Sequence, residues 1–209
     1  MRRISTTIAA LCAVAIVSAP VAQAAPPRPE PVTTVTLVGA TAISIDPAIV
    51  ARWKDLDVRL APRSPATQER MELLLPASQI TNSAIRHHGG WVLVGPTGAK
   101  LTADDVVLRL ADGHATAAIT VRSLRQDVDL LTSDAVRTSV SPQRVKRKGP
   151  ITTKTTTTTI TGPVRLIDDP GLILMMNGAI GAYALKPGET IGTFTTTLIE
   201  TTTITRPKR

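Results

Sequence analysis

The stretch DDVVLRLADGHATAAITVR, residues 104–122, carries the clearest local fold signal in the chain. Asp112-Gly113 favours a two-residue turn of type I′, and the segments on either side are apolar and rich in strand-forming residues. Such a turn places apolar side chains opposite one another on one face, as Leu110 with Ala115, Leu108 with Ala117, and Val106 with Ile119. A register shift of one residue destroys this match, so we predict a β-hairpin with His114 on its solvent side.

A second stretch, AIRHHGGWVLVG at residues 84–95, holds two of the three histidines in the chain. If Gly89-Gly90 forms a two-residue turn, this stretch is also a hairpin. Side chains alternate along a strand, so His87 shares an apolar face with Ile85 while His88 lies on the other face. A metal site would need both rings to reach one ion, and we therefore predict no metal site. We expect His87 to be a partly buried, hydrogen-bonded histidine.

The remaining pattern predicts two helices among many strands. Asp46 and Asp169 are each followed by proline, which is typical of a helix N-cap and first position. Apolar residues at helical spacing then predict short helices over about 47–56 and 170–182. Segments dense in β-branched residues, including residues 190–205, predict strands. The fold class we expect is mainly β, a β-sandwich or open barrel with two short helices.

Residues 1–24 are typical of a signal peptide. Two arginines precede an apolar run at 8–17, and Ala-Gln-Ala at 22–24 fits a cleavage site. The apolar run is shorter than the roughly 20 residues that a membrane anchor needs. Cleavage after Ala24 would remove Cys12, the single cysteine, and with it any disulfide or thiolate chemistry. We expect a secreted or cell-wall-associated protein with no transmembrane segment after cleavage.

Composition divides the rest of the chain into four parts. We predict a Pro-rich leader at 25–34, a β-rich domain at 35–134, a basic Thr-rich loop or insertion at 135–162, and a helix and strands at 163–205 that complete the same fold. Two alternatives stay open, a separate domain from about 163 and an edge strand at 152–161. The threonines of the same stretch also fit O-linked sugar attachment.

The chain has a net charge of +8, and much of the positive charge lies in one region. Between Asp134 and Asp168 there are seven basic residues and no acidic residue. Such a region suits anionic partners, namely acidic cell-wall polymers or lipid head groups. A basic run such as KRK at 146–148 is more often just a solvated loop, and that alternative stays open. Nucleic acid is the least favoured partner, because no aromatic residue interleaves with the basic run to stack on bases. The candidate contacts are Arg144, Lys146, Arg147 and Lys148.

Three stretches together resemble a known group of proteins. TAISIDPAIVARWKDLDVRLAPRSPA, AIRHHGGWVLVGPTGAKLTADDVVLRLADG and GLILMMNGAIGAYALKPGETIGTFTTTL occur in the order found in secreted actinobacterial β-rich proteins of unknown activity. The resemblance covers about residues 35–134 and 163–200. It matches the group's recurring histidine to His87 and its recurring asparagine to Asn177, and it departs at His88, where relatives more often have a small polar residue.

More distantly, the chain is similar to the HtaA-type haem-binding domains of the cell envelope. That similarity makes His87 and Tyr183 candidate haem or small-ligand contacts. The low aromatic content, 2% of the chain, argues against a pocket that packs a porphyrin. We therefore predict no cofactor, with haem as the alternative.

The sequence contains no recognisable catalytic motif. Gly-x-Ser-x-Gly, His-Glu-x-x-His and phosphate-loop patterns are all missing. The adjacent carboxylates Asp104-Asp105 and Asp168-Asp169 are better explained as a strand entrance and a helix cap than as an acid–base pair. We predict a non-catalytic binding or structural role at the cell envelope, with a haem or small-ligand carrier as the alternative.

Overall fold

The computed structural model describes residues 30–81, 83–121 and 123–206. The predicted signal peptide, Cys12 and most of the leader lie outside these residues. The described elements, in chain order, are β1 (Val32–Ile45), α1 (Pro47–Asp55), β2 (Arg59–Arg63), β3 (Thr67–Glu69), β4 (Glu72–Ile80), β5 (Ala84–His87), β6 (Gly90–Val94), β7 (Lys100–Arg109), β8 (Ala115–Val121), β9 (Leu124–Thr132), β10 (Arg137–Val140), β11 (Arg144–Lys148), β12 (Ile151–Leu166), α2 (Pro170–Ile180) and β13 (Thr190–Thr205).

The predicted fold class, mainly β with two short helices, is confirmed. The strands follow the order β2-β6-β7-β5-β4-β1-β13-β12-β9-β8, and β7 also pairs with β8, so the path of strands returns on itself. Both helices start where predicted, because the Asp46 and Asp169 carboxylates accept hydrogen bonds from the first backbone N–H groups. Within the described residues, neither helix is long and apolar enough to cross a membrane.

The chain divides into two compact units. The larger unit comprises residues 38–141 and 157–199, and it contains the apolar core. The smaller unit is described over residues 30–37, 142–156 and 200–206, and none of these described residues is buried. The domain boundaries that composition suggested remain predictions.

The β7–β8 hairpin exists, but the predicted two-residue turn is wrong. Leu108 pairs with Ala115 rather than with Ala117, because the loop holds four residues instead of two. The Asp112 carboxylate accepts a hydrogen bond at 3.0 Å from the backbone N–H of His114. This bond closes the longer loop and holds the pKa of Asp112 below its usual range.

A bulge at Asp105 then restores the apolar match further along the hairpin. Asp105 has a φ of 51° and interrupts the register between β7 and β8. Ala103 pairs with Ile119, and Leu108 pairs with Ala115, so the extra residue lies on β7. Without it, Ala103 and Leu108 would point to opposite faces, whereas both are buried. Asp104 and Asp105 therefore lie inside β7 and not at a strand entrance.

The predicted Gly89-Gly90 hairpin is also wrong. β5 and β6 both pair with β7 in the same antiparallel direction, so residues 84–94 form one interrupted strand. Gly89 takes a φ of 74° at the interruption, and a Cβ at Gly90 would lie 1.8 Å from the carbonyl oxygen of Ala103. The two glycines thus serve a bulge and a close backbone approach, which the sequence cannot distinguish from a turn.

Residues 135–162, predicted as a basic Thr-rich loop or insertion with an edge strand at 152–161 as the alternative, contain β10, β11 and most of β12. In the larger unit β10 pairs with residues 158–161 of β12, and in the smaller unit β11 pairs with residues 151–155 of β12. Threonine favours strands, and the long threonine run supplies a continuous partner for both β10 and β11.

Candidate functional site

The predicted basic cluster lies on an exposed strand of the smaller unit. All five residues of β11, with sequence RVKRK, are exposed. β11 pairs with β12, and directly paired residues share a face of the sheet. Arg144, Lys146 and Lys148 therefore lie on one face, and Arg147 lies on the other near Lys154. Alternate residues of a strand are about 6.7 Å apart, so the three cations on one face span about 13 Å.

The charge around β11 is not neutralised within its own unit. Two acidic residues, Glu30 and Glu200, occur in the described part of the smaller unit. Arg165, which belongs to the larger unit, instead bonds Asp134 at 2.9 Å and serves the fold. The described part of the smaller unit has six cations, and none of them takes part in an ion pair with a described residue: Arg144, Lys146, Arg147, Lys148, Lys154 and Arg206.

His87 is fully enclosed in the larger unit, with 3% of its surface exposed. Its Nδ1 lies 3.1 Å from the carbonyl oxygen of Val106, and its Nε2 lies 2.8 Å from the Thr41 hydroxyl. Because a carbonyl can only accept, Nδ1 carries the proton and Nε2 accepts from Thr41, whose oxygen lies 2.7 Å from that of Thr196. Burial lowers the pKa of His87, so the ring is neutral near pH 7.

This environment does not fit a haem ligand. Both ring nitrogens of His87 are already hydrogen-bonded within the protein. The cavity beside the ring has a volume of about 30 Å³, whereas small-molecule sites usually enclose about 300–1,000 Å³. In this conformation His87 is therefore a structural histidine of the core.

The structure does not bring the other candidate residues to His87. His88 is exposed while His87 is buried, as the alternation of side chains predicts. Tyr183 is 78% exposed and does not line the cavity beside His87. Among the described residues, no group of three or more potential metal ligands comes together.

Asn177, which the family resemblance singled out, fixes the loop after α2. Its side-chain Nδ2 donates to the carbonyl oxygen of Leu185, and its Oδ1 accepts from the Leu185 N–H, both at 2.9 Å. Helix α1 holds the same loop, since Trp53 Nε1 donates to the carbonyl oxygen of Ala184 at 3.0 Å. Asn177 is 5% exposed, so its role here is to order the backbone.

Three of the four adjacent carboxylates have partners within the fold. Asp104 bonds Arg63 at 2.8 Å, and Asp105 forms an ion pair with Arg125. Asp169 caps α2 through the N–H groups of its first turn. Asp104, Asp105 and Asp169 therefore each have a role in the fold.

An open groove of about 550 Å³ runs over the outer side of β7, β8 and β9. Charges of both signs line it, among them Arg86, Arg125, Asp105, Asp127 and Asp129. Arg125 is already paired with Asp105, so this groove offers less uncompensated charge than β11 does.

Thr41 and Thr196, which complete the buried hydrogen-bond network of His87, could not be predicted from the sequence. They contact each other across 155 positions of the chain, and Thr41 reaches His87 across 46. Both threonines occur in long β-branched segments whose pattern does not distinguish them from their neighbours. Only the pairing of distant strands brings them together.

No family model matches this chain, and no curated protein matches it. Among solved structures, the chain is similar to the haem-binding protein HtaB from Corynebacterium glutamicum, with 12% identity and a TM-score of 0.48. The match covers 83% of this chain and 98% of that one.

Proposed function

We propose that this is a non-catalytic, secreted or cell-wall-associated protein that binds an anionic envelope polymer through β11. One observation carries the proposal, which is the row of Arg144, Lys146 and Lys148 on one face of an exposed strand. A repeating polyanion fits such a row, because each cation can contact a separate charged group along the polymer. The other face adds Arg147 and Lys154, so the strand is cationic on both sides.

The pairing of β11 with β12 gives the cations of this row fixed positions along the strand. Pairing with β12 over five consecutive residues fixes the backbone of β11 and therefore the spacing of its side chains. The shortage of acidic residues in the smaller unit leaves the cations available to an external partner. Such binding weakens with salt, because it depends on the release of counterions.

The test measures the affinity of the purified protein for long-chain inorganic polyphosphate in a series of salt concentrations. The test variant R144Q/K146Q/K148Q neutralises one face of β11. By analogy with nucleic-acid phosphates, each cation in contact contributes about 0.7–0.9 to the slope of log K against log salt. We therefore expect the slope to fall by about 2–3 in the variant, together with a loss of affinity at low salt.

A matched control removes three cations from the larger unit. The variant K54Q/R70Q/K100Q changes exposed residues that take part in no ion pair among the described residues. We expect this control to keep most of the wild-type slope. Equal losses in both triple variants would show that only net charge matters and would contradict a site on β11.

Two further arms separate the alternative ligands. Binding to phosphatidylglycerol vesicles but not to polyphosphate would favour lipid head groups over a polymer. Titration with haemin tests the carrier hypothesis, since a change in the Soret band that Tyr183→Phe removes would favour haem over the polyanion.

A further inference from the structure

The two outer strands of the smaller unit differ in charge. The strand order there is β1, β13, β12 and β11, so β1 and β11 form its two edges. β11 carries four cationic residues out of five. Residues 32–37 of β1 carry no charge, and their sequence VTTVTL combines β-branched and apolar residues.

The edge formed by residues 32–37 has no partner strand among the described residues. β4 pairs with β1 only over residues 40–44, and β13 occupies the other side of β1. Val32, Val35 and Leu37 are 66%, 50% and 44% exposed. A long, uncharged edge strand of this kind is a template for pairing with another chain, and proteins usually block it with lysine or proline. β11 has that protection through its lysines, whereas residues 32–37 contain neither lysine nor proline.

The smaller unit also lacks a core of its own. None of its described residues is buried, so backbone pairing between strands has to supply much of its stability. An added strand would satisfy the free backbone groups of residues 32–37 and cover their apolar side chains.

We propose that a second copy of this chain occupies this edge, with the β1 strands of two copies paired antiparallel about a two-fold axis. A register centred on Val35 sets Val35 against its own copy, Thr34 against Thr36, and Thr33 against Leu37. The first two are pairs of β-branched residues of the kind that stabilises sheets, the third sets threonine against leucine, and no charge is buried. The pairing is self-complementary and closes at two copies.

The cations of β11 keep the opposite edge out of the assembly. Two β11 strands brought together would face like charge with like charge. Pairing of β1 with β11 would build an open-ended chain of molecules rather than a dimer. The structure therefore favours β1 with β1.

Sedimentation velocity over about a hundredfold range of protein concentration tests this inference. Val35→Lys places a charge at the centre of the edge, and Val145→Lys is its matched control on β11, since the two valines are 50% and 49% exposed. We expect wild type and V145K to convert from monomer to dimer as concentration rises, and V35K to remain monomeric. A wild type that stays monomeric, equal effects of the two variants, or an open-ended series of larger species would each overturn the proposal.

Hydrogen exchange on the wild type provides a second readout that needs no variant. We expect the alternate amides of residues 32–37 that point away from β13 to gain protection as concentration rises, while the amides of residues 144–148 do not. Protection of both segments, or of neither, would contradict pairing through β1.

Discussion

Replacing His87 by glutamine should change how the stability of this protein depends on pH. The wild-type ring donates to the carbonyl oxygen of Val106 and accepts from the Thr41 hydroxyl. A glutamine side chain can also donate and accept, but it does not titrate. The variant therefore removes the titrating group while retaining hydrogen-bonding capacity in the buried network.

The sign and size of the effect follow from the burial of the ring. Burial lowers the folded-state pKa of His87 below its ordinary value of 6.5, so the unfolded chain takes up the proton first as pH falls. The stability present at neutral pH is therefore lost as pH falls from about 6.5 towards the folded pKa. Across that window this one group contributes a loss of up to about 1.4 kcal/mol per pH unit.

The assay is urea unfolding followed by tryptophan fluorescence at several pH values between neutral and mildly acidic. We expect the free energy of unfolding of H87Q to fall less steeply with decreasing pH than that of wild type. His88→Gln is the matched control, because His88 is exposed, and it should retain the wild-type dependence. Parallel curves for wild type and H87Q would refute the reasoning, since His87 would then not couple protonation to folding.

Two other predictions concern stability and can be checked by the same urea unfolding at neutral pH. Asn177→Ala should lower the free energy of unfolding by about 2–3 kcal/mol, because it leaves the buried N–H and carbonyl of Leu185 without partners. A change within experimental error would show that the loop does not depend on Asn177. Gly90→Ala should cost at least about 3 kcal/mol, because a Cβ there would lie 1.8 Å from the backbone oxygen of Ala103. Gly178→Ala is its control, since that position in α2 is open, and it should raise stability by up to about 1 kcal/mol.

The burial of His87 and the exposure of His88 were predicted correctly from the alternation of side chains along a strand. The predicted hairpin around Gly89-Gly90 does not exist, yet His87 is buried and His88 is exposed as expected. Alternation along a strand is a local property of the backbone, so it survives a wrong partner for that strand. The partner itself depends on distant residues, and the sequence pattern alone offered no way to choose β7 for both halves.

The candidate site on β11 was also predicted only in part. The cations of β11 were identified from composition, because a run of basic residues without acids is visible in one dimension. The arrangement of these cations in a row on one face was not predicted, because the stretch was expected to be a loop or an insertion. Whether those cations are spaced regularly depends on the pairing of β11 with β12, which is a tertiary contact.

The sequence by itself determined the mainly β class and the two helix starts, since Asp46 and Asp169 cap their helices through bonds to N–H groups two or three residues away. It also determined where the positive charge lies along the chain. Only the tertiary structure decided the strand partners, the bulge at Asp105 and the enclosure of His87 by Thr41. The physical reason is range, because a capping bond forms within one turn of chain, whereas a strand with a period of two fits many partners and is fixed only when the whole sheet packs.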